Sequence, residues 1–407
     1  MAVTEFVPDK SQSVSRLKYT LIIACSLVIM LCSGSVYAWS IFVTPLKSGY
    51  GLTTAETQLI YGCILGVFCV ATIFVHKVLN AIGPRLTAAI GAVVFSAGYL
   101  LASFSGGNLY ILMCGIGLLS GIGMALGYMT VLTNLVKWLP RHRGLATGLA
   151  VAGFGGGTIL MTQIAQPLLN NGTDVLMIFR TVGIIYGILL LVGALFLSLP
   201  PWEDQFKREA ESRVNLRELF TDRRFWVLFY TGFAASFSGL MFYGNAKPLG
   251  ISYGVSAGAA LIAVMLMSAG NAVGRLTWGL ISDAIGSRKS ILLSLFLAAV
   301  FMLAMLVGIR GDVSFIVLVF IFGFCFGADQ VLYASNVSAE WGINKFNIVY
   351  PIVFIAYGVS GLIAPTLGGQ IFDSTGSYQT AIIICGIVCL SGIPVYAALM
   401  PRKKKSE

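Results

Sequence analysis

The chain has 407 residues, of which 57% are apolar and only 10% charged, a composition that excludes an ordinary water-soluble fold and predicts a polytopic membrane protein. Its formal charge of +10 is not a nucleic-acid signal, because the bases fall between apolar segments instead of forming a patch. The eight cysteines lie in apolar runs without metal-ligand spacing and read as small core fillers, with no disulfide framework, no metal site and no cofactor expected.

In chain order, residues 1–18 are polar, and 19–46 is too long and too poor in cleavage features for a signal peptide, so it is the first predicted span. Apolar segments follow near 55–80, 86–105, 108–137, 144–170 and 175–199, making six helices. The stretch 200–224 carries acids and bases in nearly every turn and is predicted to be a cytoplasmic, interfacial linker. Six more segments lie near 225–250, 256–283, 290–309, 313–340, 346–372 and 377–400, before the basic tail Arg402-Lys403-Lys404-Lys405. The expected organisation is an all-α membrane protein of twelve transmembrane helices: a six-helix half (1–199), the linker (200–224) and a second six-helix half with its basic cytoplasmic tail (225–407).

An internal repeat supports this division. An offset of 203 (248 minus 45) carries Pro45-Leu46 onto Pro248-Leu249, Tyr50-Gly51 onto Tyr253-Gly254, and Gly83 and Arg85 onto Gly286 and Arg288. It also carries Trp138 onto Trp341 and Phe154-Gly155 onto Tyr357-Gly358. All but five of the 26 Lys and Arg residues fall in the N-terminal tail, the loops after even-numbered helices or the C-terminal tail, which predicts both termini on the cytoplasmic side of a cell (inner) membrane. Lys47, Arg180, Lys247 and Arg310 lie near the opposite helix ends. Only Arg275 sits well inside a span.

That arginine organises the functional reading. Arg275 is the only ionised side chain between Leu261 and Leu280, a stretch long enough to cross about 30 Å of hydrocarbon. A guanidinium cannot discard its proton, so it must face a bundle interior or a water cavity, and its planar fork of donors matches a carboxylate. Eight residues on, the run Gly279-Leu280-Ile281-Ser282-Asp283-Ala284-Ile285-Gly286-Ser287-Arg288 sets a small residue, an acid, a turn glycine and a base at fixed spacing. Gly279 is expected to permit close helix approach, Asp283 to pair or cap at the membrane edge, and Gly286 to turn the chain before Arg288. The run resembles the loop signature of the major facilitator superfamily, and the resemblance implies that fold and a gating role for Gly279, Asp283 and Arg288. The first-half version is degraded, with His76 and Asn80 where the second has Gly279 and Asp283.

Depth along the helices selects partners for Arg275. It lies about 12 Å from the edge marked by Asp283, Tyr128 about 15 Å from Trp138, Tyr357 about 16 Å from Phe346 and Asp329 about 18 Å from Trp341. Asn271 stands one turn outward on the same face. Each has a plainer reading: Arg275 as a structural cation paired with Asp329, Asn271 as an interhelical bond, and Tyr128, Tyr357 and Phe354 as packing. The glycine run Gly153 to Gly157 is expected to allow close helix packing, since no nucleotide-loop pattern surrounds it.

The helix 8 run Asn271-Ala272-Val273-Gly274-Arg275-Leu276-Thr277-Trp278-Gly279, with Ser282-Asp283, is similar to that of the oxalate:formate antiporters and monocarboxylate transporters. So are Ser33-Gly34-Ser35-Val36-Tyr37-Ala38-Trp39 and Trp138-Leu139-Pro140-Arg141-His142-Arg143-Gly144-Leu145-Ala146. The resemblance implies that Arg275 binds a substrate carboxylate beside Asn271, with Tyr37 and Tyr128 lining the cavity. It also implies where this chain departs: oxalate exchangers have a lysine where this chain has Tyr357, and animal-type monocarboxylate transporters have an acid where it has Asn271. A dianion held by one cation leaves a carboxylate unneutralised at a cost of roughly several kcal/mol, which favours a monoanion. Asp329 is the remaining embedded acid at similar depth and the proton-coupling candidate. The expected function is secondary transport of small monocarboxylates of the lactate or pyruvate kind, coupled to a proton, by a lipid-embedded monomer; exchange of oxalate- or formate-type anions is the alternative. An enzyme is not expected, for the sequence has no HExxH, GxSxG, paired catalytic carboxylates or nucleotide loop.

Overall fold

Hydrocarbon offers a backbone no partner but itself, so long apolar runs broken by Gly-, Asn- and Pro-containing turns settle as helices. The computed structural model describes residues 15–139, 143–201 and 214–401, and no strand occurs among them. The Pro140-Arg141-His142 part of the helix 4–5 motif, residues 202–213 of the predicted linker and the basic tail lie outside the described residues.

Helix 1 begins at Arg16, where the Ser15 hydroxyl caps Lys18 N–H at 3.3 Å; it runs to Gly34, tightens into a 3-10 turn over Ser35–Ala38 and resumes as Ser40–Tyr50. Helices 2 and 3 form one stretch, Thr54–Ser103, whose 50 residues would extend about 75 Å, more than twice a bilayer core. Gly83 breaks it, with φ 77° and ψ 172° immediately before Pro84. Helix 4 spans Leu109–Trp138 through a π-helical segment at Met113–Ser120, helix 5 Arg143–Asn170 and helix 6 Val175–Phe196. A short helix, Leu216–Thr221, leads into helix 7 (Arg223–Ser252). Helices 8 (Ala257–Ile285), 9 (Ser287–Gly308), 10 (Asp312–Trp341, interrupted at Gly327), 11 (Ile343–Thr375) and 12 (Gln379–Leu399) complete the chain. Eleven helices among the described residues are long and apolar enough to span, and the doubled one makes twelve crossings.

The loops expected between helices 2 and 3 and between 8 and 9 shrink to a single glycine each, because Gly83 and Gly286 (φ 85°) take a left-handed conformation that other residues resist. These two are repeat partners, as are Gly51 and Gly254 (φ 71° and 78°), and Trp138 and Trp341 both end their helices. The offset therefore corresponds to local geometry. It also sets Thr72, whose hydroxyl bonds Cys69 O at 2.7 Å within helix 2, opposite Arg275 of helix 8.

Close crossings are made where glycine removes a Cβ. One added at Gly157 would sit 2.2 Å from Leu31 O, tying helix 5 to helix 1 as the glycine run leads one to expect. Gly270 and Gly274 would meet Phe320 O and Phe324 O at 2.3 and 2.2 Å, bringing helix 8 onto helix 10. Gly279 is not such a point, contrary to expectation: its nearest neighbour is a Val331 methyl at 3.8 Å, since the crossing has already diverged by that turn. Just beyond the linker, Arg224 bonds Asp222 at 2.7 Å and Glu340 at 3.3 Å, joining the start of helix 7 to the end of helix 10.

Candidate functional site

Helix 10 breaks at Gly327, where an added Cβ would lie 2.7 Å from Arg275 N, so helix 8 presses its arginine against helix 10 and the side chain leaves toward helix 5. Arg275 is 4% exposed. Its Nη1 donates to Val151 O across the seam at a long 3.4 Å, Nε has no partner, and no carboxylate lies within ion-pairing distance among the described residues. Tyr37, Tyr128, Tyr243 and Tyr357 lie close enough to interact with it electrostatically, and Asp329 does so without an ion pair. One turn outward, Asn271 is buried with both amide atoms unpartnered.

These aromatics form a cage drawn from both sets of six helices. The Tyr37 and Tyr357 hydroxyls share a hydrogen bond of 2.5 Å, and Tyr37 stacks on Tyr243 at 4.4 Å. Phe154 meets Tyr37 and Tyr128 edge-on at 5.5 and 5.3 Å, Phe68 meets Tyr128 at 5.4 Å, and Phe354 stacks on Tyr357 at 5.0 Å. From there a half-buried ladder, Phe354, Tyr350 and Phe346, descends helix 11 toward the end of the bundle that carries the termini. The structure thus brings Arg275, Asn271, Tyr37, Tyr128, Tyr357 and Phe354 together. Sequence reasoning missed Tyr243, Phe154 and Phe68; the repeat offered a signal for two of them, since Phe154 is the partner of Tyr357 and Phe68 of Asn271.

Asp329 does not join this cage as an ion pair. It lies in the first turn of the resumed helix 10, is 7% exposed, and accepts a 2.5 Å hydrogen bond from Ser236 on helix 7. Beside it a cavity of about 20 Å³, room for about one water, is lined by Ser236, Tyr333, Tyr350 and Tyr357.

In the helix 8–9 turn, Asp283 is exposed and makes no hydrogen bond or ion pair among the described residues, so the expected pairing or capping is not formed there: Gly286, not an acid, occupies the cap before helix 9. Arg288 is engaged. It donates to Met400 O at 2.9 Å and Ala397 O at 2.8 Å, holding the last carbonyls of helix 12.

At the end opposite the termini the seam is closed. Asp373 of helix 11 accepts from Thr54 N (3.1 Å) and Ala55 N (2.8 Å) at the start of helix 2 and pairs with Lys47 at 3.2 Å. Gly369 lets the same crossing tighten, for an added Cβ would meet Ala55 Cα at 2.9 Å. Gln58 bonds Gly244 O at 2.7 Å, and Lys247 bonds Gln166 at 3.1 Å.

One buried cation without an ion-pair partner among the described residues, an unpartnered amide and clustered phenols inside aromatic walls constitute donors for a single small anion with an apolar remainder. The described residues include no group of three His, Cys, Asp or Glu able to hold a metal. The chain is 26% identical to an oxalate:formate antiporter of Oxalobacter formigenes over 97% of this chain and 95% of that protein. It is 27% identical to human monocarboxylate transporter 11 (79% and 69%) and 24% identical to human monocarboxylate transporter 12 (95% and 82%). The profile of the Major Facilitator Superfamily matches residues 23–342 and 241–407, so this multi-pass membrane protein belongs to that superfamily and is a transporter, not an enzyme.

Proposed function

We propose that the chain carries small monocarboxylates of the lactate or pyruvate kind, together with a proton, across a cell (inner) membrane, with both termini cytoplasmic and the halves 1–199 and 225–407 alternating about Arg275. The observation that carries this reading is the guanidinium itself: buried, with no carboxylate within ion-pairing distance among the described residues, and set beside Tyr37, Tyr128, Tyr243 and Tyr357. A buried charge in that condition is stabilised by an anion, and the guanidinium fork selects a carboxylate. Asn271 supplies a donor for its second oxygen, and Phe68, Phe154 and Phe354 pack its apolar remainder. Asp329, held by Ser236 beside a water-sized cavity, is the proton site. In the gating loop Arg288 anchors the end of helix 12 while Gly279 and Asp283 move with helix 8.

The oxalate:formate relative favours a second reading, organic-anion exchange. Tyr357 speaks against a dianion, because the cage then holds one cation for two carboxylates. Uptake of labelled lactate into proteoliposomes, competed by pyruvate, acetate, formate and oxalate with and without a pH gradient, separates the two. Competition by oxalate alone, indifferent to pH, would establish exchange and overturn monocarboxylate symport.

A further inference from the structure

Lys47 and Lys247 occupy the same end of the bundle, on helices 1 and 7, and differ in one respect. Lys47 is paired with Asp373 at 3.2 Å. Lys247 is buried, 8% exposed, and its ammonium meets only the Gln166 side-chain oxygen, at 3.1 Å, with no ion pair among the described residues. The ammonium, a donor only, sets that amide with its oxygen toward the lysine, and Gln166 Nε2 then donates to Asn170 Oδ1 at 2.7 Å. A neutral oxygen therefore occupies the place of a carboxylate oxygen. A desolvated ammonium with no counter-charge is costly, and an anion relieves that cost.

A polar track leads inward from this point. On helix 5, Gln166, Thr162 and Thr158 recur every fourth residue and share a face. Gln166 bonds helix 7, and Thr158 bonds Ser268 of helix 8 at 2.7 Å. Thr162, between them on that face, is 2% exposed and its hydroxyl has no partner. On helix 7, Tyr243 stands one turn, about 6 Å, inward of Lys247, and its unpartnered hydroxyl neighbours Ser268 and Asn271. One more turn along helix 8 is Arg275.

We propose that Lys247 and Gln166 form an outer carboxylate station, filled by the incoming anion when the seam parts on that face, from which it passes along Thr162 and Tyr243 to Arg275. Separation of helices 5 and 7 breaks the Lys247–Gln166 bond and bares both an ammonium and an amide, and the substrate carboxylate replaces the amide oxygen on the ammonium. Closure on that face restores the amide contact once the anion has moved inward. The inference rests on Arg275 as the inner anchor, but its test does not.

The test uses L-lactate as probe and the full-length purified protein. In Arg275→Gln, lactate is expected still to raise the unfolding temperature, by about 2 °C at concentrations well above its dissociation constant, and to lose that effect when Lys247→Gln is added. Absence of a lactate-dependent shift in Arg275→Gln, or a shift indifferent to Lys247→Gln, overturns the proposal. Should Arg275→Gln not fold, transport by the otherwise unaltered protein decides: Lys247→Gln is expected to lower kcat/KM for lactate about fivefold and flatten its decline with ionic strength, and Lys247→Arg to retain both. A structural clamp alone leaves the salt dependence unchanged, which also overturns it. Failure of the monocarboxylate reading shows differently, as an unaltered protein that neither binds nor moves lactate through Arg275.

Discussion

On the proposed reading, the shape of the cation at Arg275 matters as much as its charge. Lysine at this position keeps one positive charge but loses the planar fork and the reach to Val151 O, so Arg275→Lys is expected to lower saturable lactate uptake at least about a hundredfold in a protein that still folds. Near-normal uptake would remove the anchor from the mechanism. Tyr357 is its neighbour in the aromatic cage. Tyr357→Lys breaks the 2.5 Å bond to Tyr37 and sets a second cation in the cage, so lactate affinity should fall about tenfold and oxalate should become a competitor. A competition profile identical to that of the parent would reduce Tyr357 to packing. The burial of Arg275 and the similar depth of Tyr357 were legible in the sequence, because a lone charge in an apolar run and a depth count along two helices need only the rise per residue. Tyr243 was not: nothing in its local sequence distinguishes a phenol stacked on Tyr37 from any other tyrosine in a span.

The crossing of helices 2 and 11 holds the seam closed at the end opposite the termini. The start of helix 2 offers N–H groups and a positive dipole end, and Asp373 supplies the carboxylate, an arrangement worth roughly 0.5–2 kcal/mol for a cap, with a partly exposed pair to Lys47 adding about 0–1 kcal/mol. Asp373→Asn is therefore expected to shift the protein toward states open at this end. Spin labels at Ser48 and Ser374, in a background with native cysteines replaced, should report a longer-distance population that grows in the variant. An unchanged distribution would mean that the Gly369–Ala55 contact alone holds the face closed. The latch escaped the sequence because its parts lie more than 300 positions apart, as Lys47 and Asp373 do, in segments of ordinary composition. Helix number and order were legible from hydropathy, whereas the single-glycine turns were obscured by the Lys and Arg flanking them. Gly279 misled for a related reason: a glycine in a helix signals permission for contact, and the partner helix decides whether contact occurs.

For the molecule as a whole, coupling requires that empty and loaded carriers differ in the motions they permit. Asp329 and Arg275 make no ion pair in this conformation, so any switch between them involves a change of partner by Asp329, away from Ser236. Asp329→Asn keeps the shape and removes the titration. Under proton coupling at this residue, a pH gradient should cease to drive lactate accumulation while lactate–lactate exchange persists; undiminished pH-driven accumulation would assign the proton to another carrier.

The repeat that relates the two sets of helices is chemically lopsided at one position, Thr72 on helix 2 against Arg275 on helix 8, with Thr72 spending its hydroxyl on Cys69 O of its own helix. An ancestor with identical copies would have offered two equal handles, and cargo could have been shared between them or exchanged from one to the other. Here the grip is one-handed. On the proposed mechanism a carboxylate held by Arg275 would travel as a passenger of helix 8 for the whole stroke, while the Phe68 and Phe154 walls would slide past it. The recognition of the charged end is then indifferent to which side of the membrane the site faces, and preference among cargoes of different girth is decided by the moving wall.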